Sequence, residues 1–265
     1  MTDRVLIEAA LNGARSRPAP VTPVEAAEEG RRAVEAGAAL VHVHGRAADG
    51  SDSSAPGWYD HFLVRFRALC PGVPVSVTTV PSPGVVAKLR AWEPLPEACS
   101  VNLANEVEAW SDLLEAARAR GLAVEAGARH EASVDATCAD GGPFASCVLL
   151  VEADGTRSAT ARRYLDLAAR LRAGGFTAPV VAHGYSDATW GVLGAALACG
   201  DSVRAGFEDA FTLPDGREAR SNAEPVAALV RMALAVGRTP LTPAEAAALF
   251  TATRRKGAEG HVPAG

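Results

Sequence analysis

Two histidines stand one residue apart in Leu40-Val41-His42-Val43-His44. Their neighbours are apolar and mostly β-branched, which reads as a buried strand. Side chains alternate along a strand, so His42 and His44 leave from one face, about 6.6 Å apart along it. Two imidazoles so placed can chelate one divalent metal. Catalytic zinc sites take three protein ligands and keep a position open. A lone strand histidine is usually a satisfied core group, whereas two in register point to ligation. The five cysteines, Cys70, Cys99, Cys138, Cys147 and Cys199, lack CxxC spacing and offer no competing thiolate site.

A third ligand must come from elsewhere. In Arg204-Ala205-Gly206-Phe207-Glu208-Asp209, a strand over Ser202 to Phe207 gives Arg204, Gly206 and Glu208 one parity. Glu208 then either joins the histidines or pairs with Arg204 at the rim. Asp209 either serves the site or makes a cap or loop hydrogen bond. Glu125, in Ala123-Val124-Glu125-Ala126-Gly127, is a carboxylate at a strand end and needs a partner. It binds substrate or holds an arginine such as Arg15 or Arg129. His183 contacts substrate or supports the site, or else bonds a loop carbonyl. Only two of the 26 basic residues are lysine, Lys88 and Lys256. Neither lies at a strand end, which argues against Schiff-base chemistry.

Elements of one kind must hold these residues. Short apolar runs alternate with Ala-, Leu- and Arg-rich runs throughout. Strands are predicted at Arg4–Leu11, Ala39–His44, Val73–Thr79, Ala98–Leu103, Leu122–Ala126, Ser146–Val151, Pro179–His183 and Ser202–Phe207. A helix follows each. The first starts at Thr22-Pro23-Val24-Glu25, with a threonine cap, proline at N1 and glutamate at N3, and stops at Ala36-Gly37. The last barrel helix covers Asn222–Val236, and a short helix spans Pro243–Phe250. Eight such pairs predict an α/β protein, a single-domain (β/α)8 TIM barrel over residues 1–250. The polar segment 251–265 is expected to be mobile or docked on a neighbour. An open doubly wound sheet is the alternative, but no Gly-rich dinucleotide loop follows the first strand. In a barrel the site lies at the C-terminal strand ends. The polar ring there comprises Asn12, His42, His44, Thr78, Thr79, Asn102, Glu125, His183, Arg204, Glu208 and Asp209, with Asn105 just beyond.

The 265 residues are 48% apolar with net charge −5 and no basic block. That composition gives a sizeable core and no footprint for nucleic acid. No run approaches a membrane span, and Met1 to Glu8 does not read as a signal peptide. Scattered free cysteines suit a reducing, cytoplasmic setting.

In order along the chain, several stretches resemble the β-keto acid cleavage enzymes. They are Ala9-Ala10-Leu11-Asn12-Gly13-Ala14, Thr22-Pro23 with Glu25, Ala36-Gly37-Ala38 through His44, Ser100-Val101-Asn102, Val124-Glu125-Ala126-Gly127, Arg204 to Asp209, Leu213-Pro214-Asp215-Gly216 and Ser221-Asn222-Ala223-Glu224. The resemblance implies one zinc held by His42, His44 and Glu208, with Asp209 as the base and Arg204 assisting. It implies condensation of a β-keto acid with acetyl-CoA and release of acetoacetate, in a homo-oligomer such as a tetramer. Asn12, Arg15, Thr78, Asn102, Asn105, Glu125 and His183 are the candidate substrate contacts. Members that cleave aminohexanoates carry an acid where this chain has Arg15, so an anionic or neutral tail is expected here. Strand three, Ser76-Val77-Thr78-Thr79-Val80, departs from the family's Ser-Thr-Gly-Gly type. Two other functions fit the residues: another mononuclear metal lyase or hydrolase on this fold, and a catalytically inactive small-molecule-binding barrel.

Overall fold

The computed structural model describes residues 3–13, 19–79, 85–103, 107–153 and 156–260. Among these residues ten strands run in chain order: β1 (Arg4–Val5), β2 (Ile7–Ala10), β3 (Leu40–Val43), β4 (Val75–Thr78), β5 (Ala98–Asn102), β6 (Ala123–Ala128), β7 (Ser146–Val151), β8 (Val180–Gly184), β9 (Ser202–Ala205) and β10 (Thr239–Pro240). Among the described residues nine α-helices join them: α1 (Pro23–Glu35), α2 (Pro56–Leu69), α3 (Val85–Ala91), α4 (Val107–Ala119), α5 (Glu131–Asp140), α6 (Arg157–Ala173), α7 (Thr189–Cys199), α8 (Ala223–Ala235) and α9 (Pro243–Gly260). Strands β2 to β9 pair in sequence, all parallel, and β2 closes against β9. The protein is therefore a closed (β/α)8 barrel, and the open-sheet alternative is excluded.

Alternation along the strands sorts the core into two compartments. Outward residues such as Ile7, Ala9, Val41, Val43, Val75 and Val77 pack under the helices. Inward residues Leu6, Leu40, Ala98, Ala123, Val148 and Val181 fill the lower barrel, where Ala246 and Phe250 of α9 close the floor. Above that apolar layer the interior turns polar, with Glu8, His42, Ser76, Glu125 and Arg204 all buried.

Helix α1 begins with the predicted capping box, in which Thr22 Oγ1 accepts from the Glu25 amide and Glu25 accepts from the Thr22 amide. Its buried face, Ala26, Ala27, Gly30 and Ala33, is small enough to lie close against α2.

Three boundaries differ from the sequence expectation. The first strand is split at Leu6, whose amide donates to Ser202 Oγ. Below the split β1 pairs with β10, a short strand that sequence reading did not find. The last helix continues ten residues past Phe250 to Gly260. Its added turns contain good helix formers, and Arg254 donates to the Gly121 carbonyl at the barrel base. Finally, β9 stops at Ala205, so Glu208 is not on a strand. A Cβ at Gly206 would lie 2.0 Å from the Ala10 carbonyl oxygen. The chain turns there, with the Asp209 and Ala210 amides donating to the Gly206 carbonyl. No described helix is long and apolar enough to cross a membrane.

Candidate active site

His42, on β3, and His44, just beyond it, sit at the C-terminal mouth of the barrel with their rings edge to face, centroids 5.3 Å apart. His42 Nε2 lies 3.7 Å and His44 Nε2 3.4 Å from the same atom, Glu208 Oε2. Glu208 reaches them from the turn after β9, which is pinned to β2 by its amide hydrogen bond to the Ala10 carbonyl. The Glu208 carboxylate faces both Arg204 and the two histidines. Its Oε1 is ion-paired with Arg204 Nη2 at 2.6 Å, while Oε2 is buried without a hydrogen-bond partner. An orphaned carboxylate oxygen facing two imidazole nitrogens is costly as it stands and suits a cation. The ligand atoms of His42, His44 and Glu208 lie within 4.8 Å of one another.

The far nitrogen of each imidazole is also engaged. His44 Nδ1 is 3.2 Å from Asp52 Oδ1. His42 Nδ1 is 3.3 Å from Ser76 Oγ and 3.9 Å from Glu8 Oε1. Such partners fix ring orientation and tautomer, leaving Nε2 to face the centre. Burial disfavours the charged form of both rings, and it prevails at His42, which is held well below its ordinary pKa. At His44 the Glu208 and Asp52 carboxylates outweigh burial and raise it. Burial alone would raise the Glu208 carboxyl, but Arg204 and the two histidines hold it well below the carboxylate range. The acid is thus an anion at neutral pH.

Asp209 is fully buried. Its Oδ1 takes Arg204 Nη2 at 2.8 Å and lies 2.8 Å from His183 Nε2. Its Oδ2 has no partner. His183 therefore meets a carboxylate, not a loop carbonyl. Burial, then the Arg204 charge, lowers the His183 pKa against the pull of Asp209.

These groups border a cavity of about 230 Å³. Of the predicted site residues, His42, His44, Thr78, Asn102, Glu125, His183, Arg204 and Glu208 line it. Asp209 is not among the lining residues and stands behind His183 and Arg204. Asn12 is not either. Its side chain ties strand ends together, donating to the Pro20 and His44 carbonyls and accepting from the His44 amide at 2.8 Å. Glu125 takes a hydrogen bond from Ser146 Oγ at 2.8 Å, with no arginine in ion-pair contact among the described residues. Arg15 and Asn105 lie outside the described residues.

A model of the β-keto acid cleavage enzymes matches residues 4–251. The chain belongs to this family. Among β-keto acid cleavage enzymes and their relatives, a 3-keto-5-aminohexanoate cleavage enzyme of Fusobacterium nucleatum is 26% identical, covering 93% of this chain and 97% of that one. A 3-oxoadipate:acetyl-CoA acetyltransferase of Cupriavidus necator is 38% identical over 84 residues, 30% of either chain. Among solved structures, ObcA in its complex with oxaloacetate superposes with a TM-score of 0.76 at 20% identity, over 89% of this chain and 68% of that one. That likeness speaks for the barrel.

Several residues of this family member were not found from sequence. Glu8 is wholly buried inside the barrel beneath His42. The signal for it is an acid between Ile7 and Ala9 in a buried strand, below the strand ends where a barrel site is expected. Asp52 reaches His44 from the loop after β3, where Arg46 and Asp52 form a bridge and an ion pair at 2.9 Å. No strand pattern reveals such a loop contact. Arg129, expected as a partner for Glu125, lines the cavity instead.

Proposed function

We propose that the protein condenses a β-keto acid with acetyl-CoA and releases acetoacetate and a new acyl-CoA, using one zinc ion held by His42, His44 and Glu208. The observation that carries this reading is the orientation of Glu208, with Oε1 on Arg204 and Oε2 turned, unpartnered, to both imidazoles. Zinc bound there supplies Lewis acidity that stabilises an enolate.

The chain's own residues do the rest. The proton on the carbon between ketone and carboxylate is taken by the Asp209–His183 pair. His183 borders the cavity and is kept neutral, ready to accept it, while Asp209 orients the ring and stabilises the charge it gains. Arg204 holds Asp209 and Glu208 in register. The carbanion forms a carbon–carbon bond to the acetyl carbonyl and CoA thiolate leaves. The thiolate then attacks the original ketone, and the bond between that carbon and the former carbanion breaks. The products are the new acyl-CoA and the carbanion of acetoacetate, which recovers the proton from the same pair. Thr78 and Asn102, on the opposite wall, present polar groups to the substrate. Free cysteines, four of them buried or partly buried, suit a cytoplasmic enzyme.

The test uses purified, zinc-loaded protein, acetyl-CoA and a panel of β-keto acids, with acetoacetate and acyl-CoA followed together. Both products in equal amount are expected. Full metal loading with no product across the panel would reject the reaction.

A further inference from the structure

The cavity contains a cation that the proposed chemistry does not use. We infer that Arg129 binds a distal carboxylate of the substrate, so that the keto acids this cavity takes are β-keto dicarboxylic acids. The inference rests on the reading of the cavity as a β-keto acid site and adds the class of substrate.

Position comes first. On β6, Glu125 and Gly127 face the barrel interior and border the cavity. Arg129 continues that parity one step above and borders it too. Four residues of strand place it about 13 Å beyond Glu125 along the wall. Gly127 contributes no side chain, so nothing from β6 fills the space between them. The Arg129 amide donates to Ser133 Oγ at 3.0 Å, which holds the backbone at the start of α5.

Charge comes second. Arg204, the other arginine among the described residues of the cavity wall, is engaged by Glu208 and Asp209. Among the described residues no carboxylate lies within ion-pair distance of Arg129, and its Nε is buried without a hydrogen-bond partner. A partly desolvated guanidinium lacking an anion is unfavourable, and its planar fork matches a carboxylate.

The wall between completes the case. Gly127 is registered with Val148 on β7, and the inward residues Val148 and Leu150 border the cavity beside Arg129. A substrate whose reacting end lies at His42, His44 and Glu208 can run methylenes along Val148 and Leu150 and end at Arg129. An ammonium tail would be repelled there, and a methyl tail would leave the guanidinium bare.

The test compares 3-oxoadipate with 3-oxohexanoate, six-carbon acids that differ in a distal carboxylate against a methyl. Zinc-loaded wild type, Arg129→Gln and Arg129→Lys are examined by calorimetry without acetyl-CoA, and by KM and kcat with it. Wild type is expected to favour the diacid by about tenfold to a hundredfold in Kd and KM, the range of a charged hydrogen bond. In Arg129→Gln that ratio should collapse towards one, and Arg129→Lys should restore part of it. No preference in wild type, or an equal change for both acids, overturns the inference. So does a larger rise in KM for acetyl-CoA, which would assign Arg129 to the phosphates of CoA. If neither acid is cleaved but the diacid still binds through Arg129, the proposed reaction fails and this inference stands. If both are cleaved and bound alike, the reverse holds.

Discussion

His183 Nε2 and Asp209 Oδ1 lie 2.8 Å apart, and the ligand atoms of His183, Asp209 and Glu208 all lie within 4.8 Å of one another. Arg204 donates to the same oxygen at 2.8 Å, so Asp209 is locked in one orientation while His183 borders the cavity. Such a pair works as a unit. Asp209→Asn should preserve shape and metal content but lower kcat by about 10²- to 10⁴-fold, the usual contribution of a positioned acid–base group. His183→Gln should fall in the same range, and the double variant should be little worse than either single one. Additive losses, or a kcat for Asp209→Asn close to wild type, would remove the pair from the proton step.

Asp52 orients His44, the second histidine of the proposed metal site, from the loop after β3. Its contact with His44 Nδ1, 3.2 Å, presents His44 Nε2 to the centre. Partners of this kind typically change metal affinity by about 10- to 100-fold, and Asp52→Asn should weaken zinc binding by that factor at about pH 8. The pH dependence adds a sign. His44 is raised above its ordinary value: burial opposes this, and Glu208 and Asp52 more than compensate. Its proton must leave before Nε2 can bind metal, so affinity is full above the raised pKa and lost as pH falls through it. Removing the Asp52 charge lowers that pKa, and the acid-side loss should move to lower pH while affinity at high pH drops. Zinc titrations across the range measure both, and movement of the two in the same direction would contradict the assignment.

The barrel was legible because its strands are near-continuous apolar runs between capped helices; β7 falls at Ser146–Val151 as predicted. The limits are equally physical. Arg4 to Leu11 reads as one strand because both halves are largely apolar, whereas in the structure Arg4 and Val5 pair with β10 and the residues from Ile7 on with β3 and β9. His42 and His44 were legible through the two-residue period of a strand. Glu208 was reached by extending that period across Gly206, where the chain in fact turns. The structure brings Glu208 to the two histidines, but from a turn and not from a strand. Asp52 and the Asp209–His183 contact depend on how loops and distant strands meet, which no local pattern encodes.

Glu8 offers a test of the polar interior itself. It is inaccessible to solvent, neither carboxylate oxygen has a hydrogen-bond partner, and the nearest cation, Arg204 Nη1, is 3.8 Å away. Burial, reinforced by Glu125, raises its pKa well above the ordinary value despite Arg204. A folded-state pKa above the unfolded one means the folded protein binds the proton more tightly. That contribution is complete below the unfolded pKa and is lost as pH rises through the folded one. Glu8→Gln removes the ionisation while keeping the shape. It should raise the Tm of the metal-free protein by about 2–4 °C near pH 8, with no gain near pH 4. A variant less stable than wild type at the higher pH, or a gain independent of pH, would show that Glu8 is held as a carboxylate.

The approach of Gly13 to Glu208 gives the sharpest structural test of the proposed metal site. A Cβ on Gly13 would stand 2.3 Å from Glu208 Cγ, 3.0 Å from its Cβ and 3.2 Å from its Cα. The Glu208 backbone cannot easily retreat, because its amide is bonded to the Ala10 carbonyl. The side chain must swing instead, and the carboxylate then leaves the two imidazoles. Gly13→Ala should therefore fold and melt cooperatively but bind zinc poorly, losing at least about tenfold in affinity. Gly57→Ala is the matched control: Gly57 lies in the first turn of α2 with nothing within 4 Å of an added Cβ. It should keep full zinc content and be equal to or slightly more stable than wild type, by up to about 1 kcal/mol. Metal analysis beside thermal melts of both variants reads the outcome. Wild-type zinc affinity in Gly13→Ala would mean either that the turn after β9 yields or that Glu208 is not a ligand. Glu208→Gln separates the two, because loss of zinc there would leave only the yielding turn.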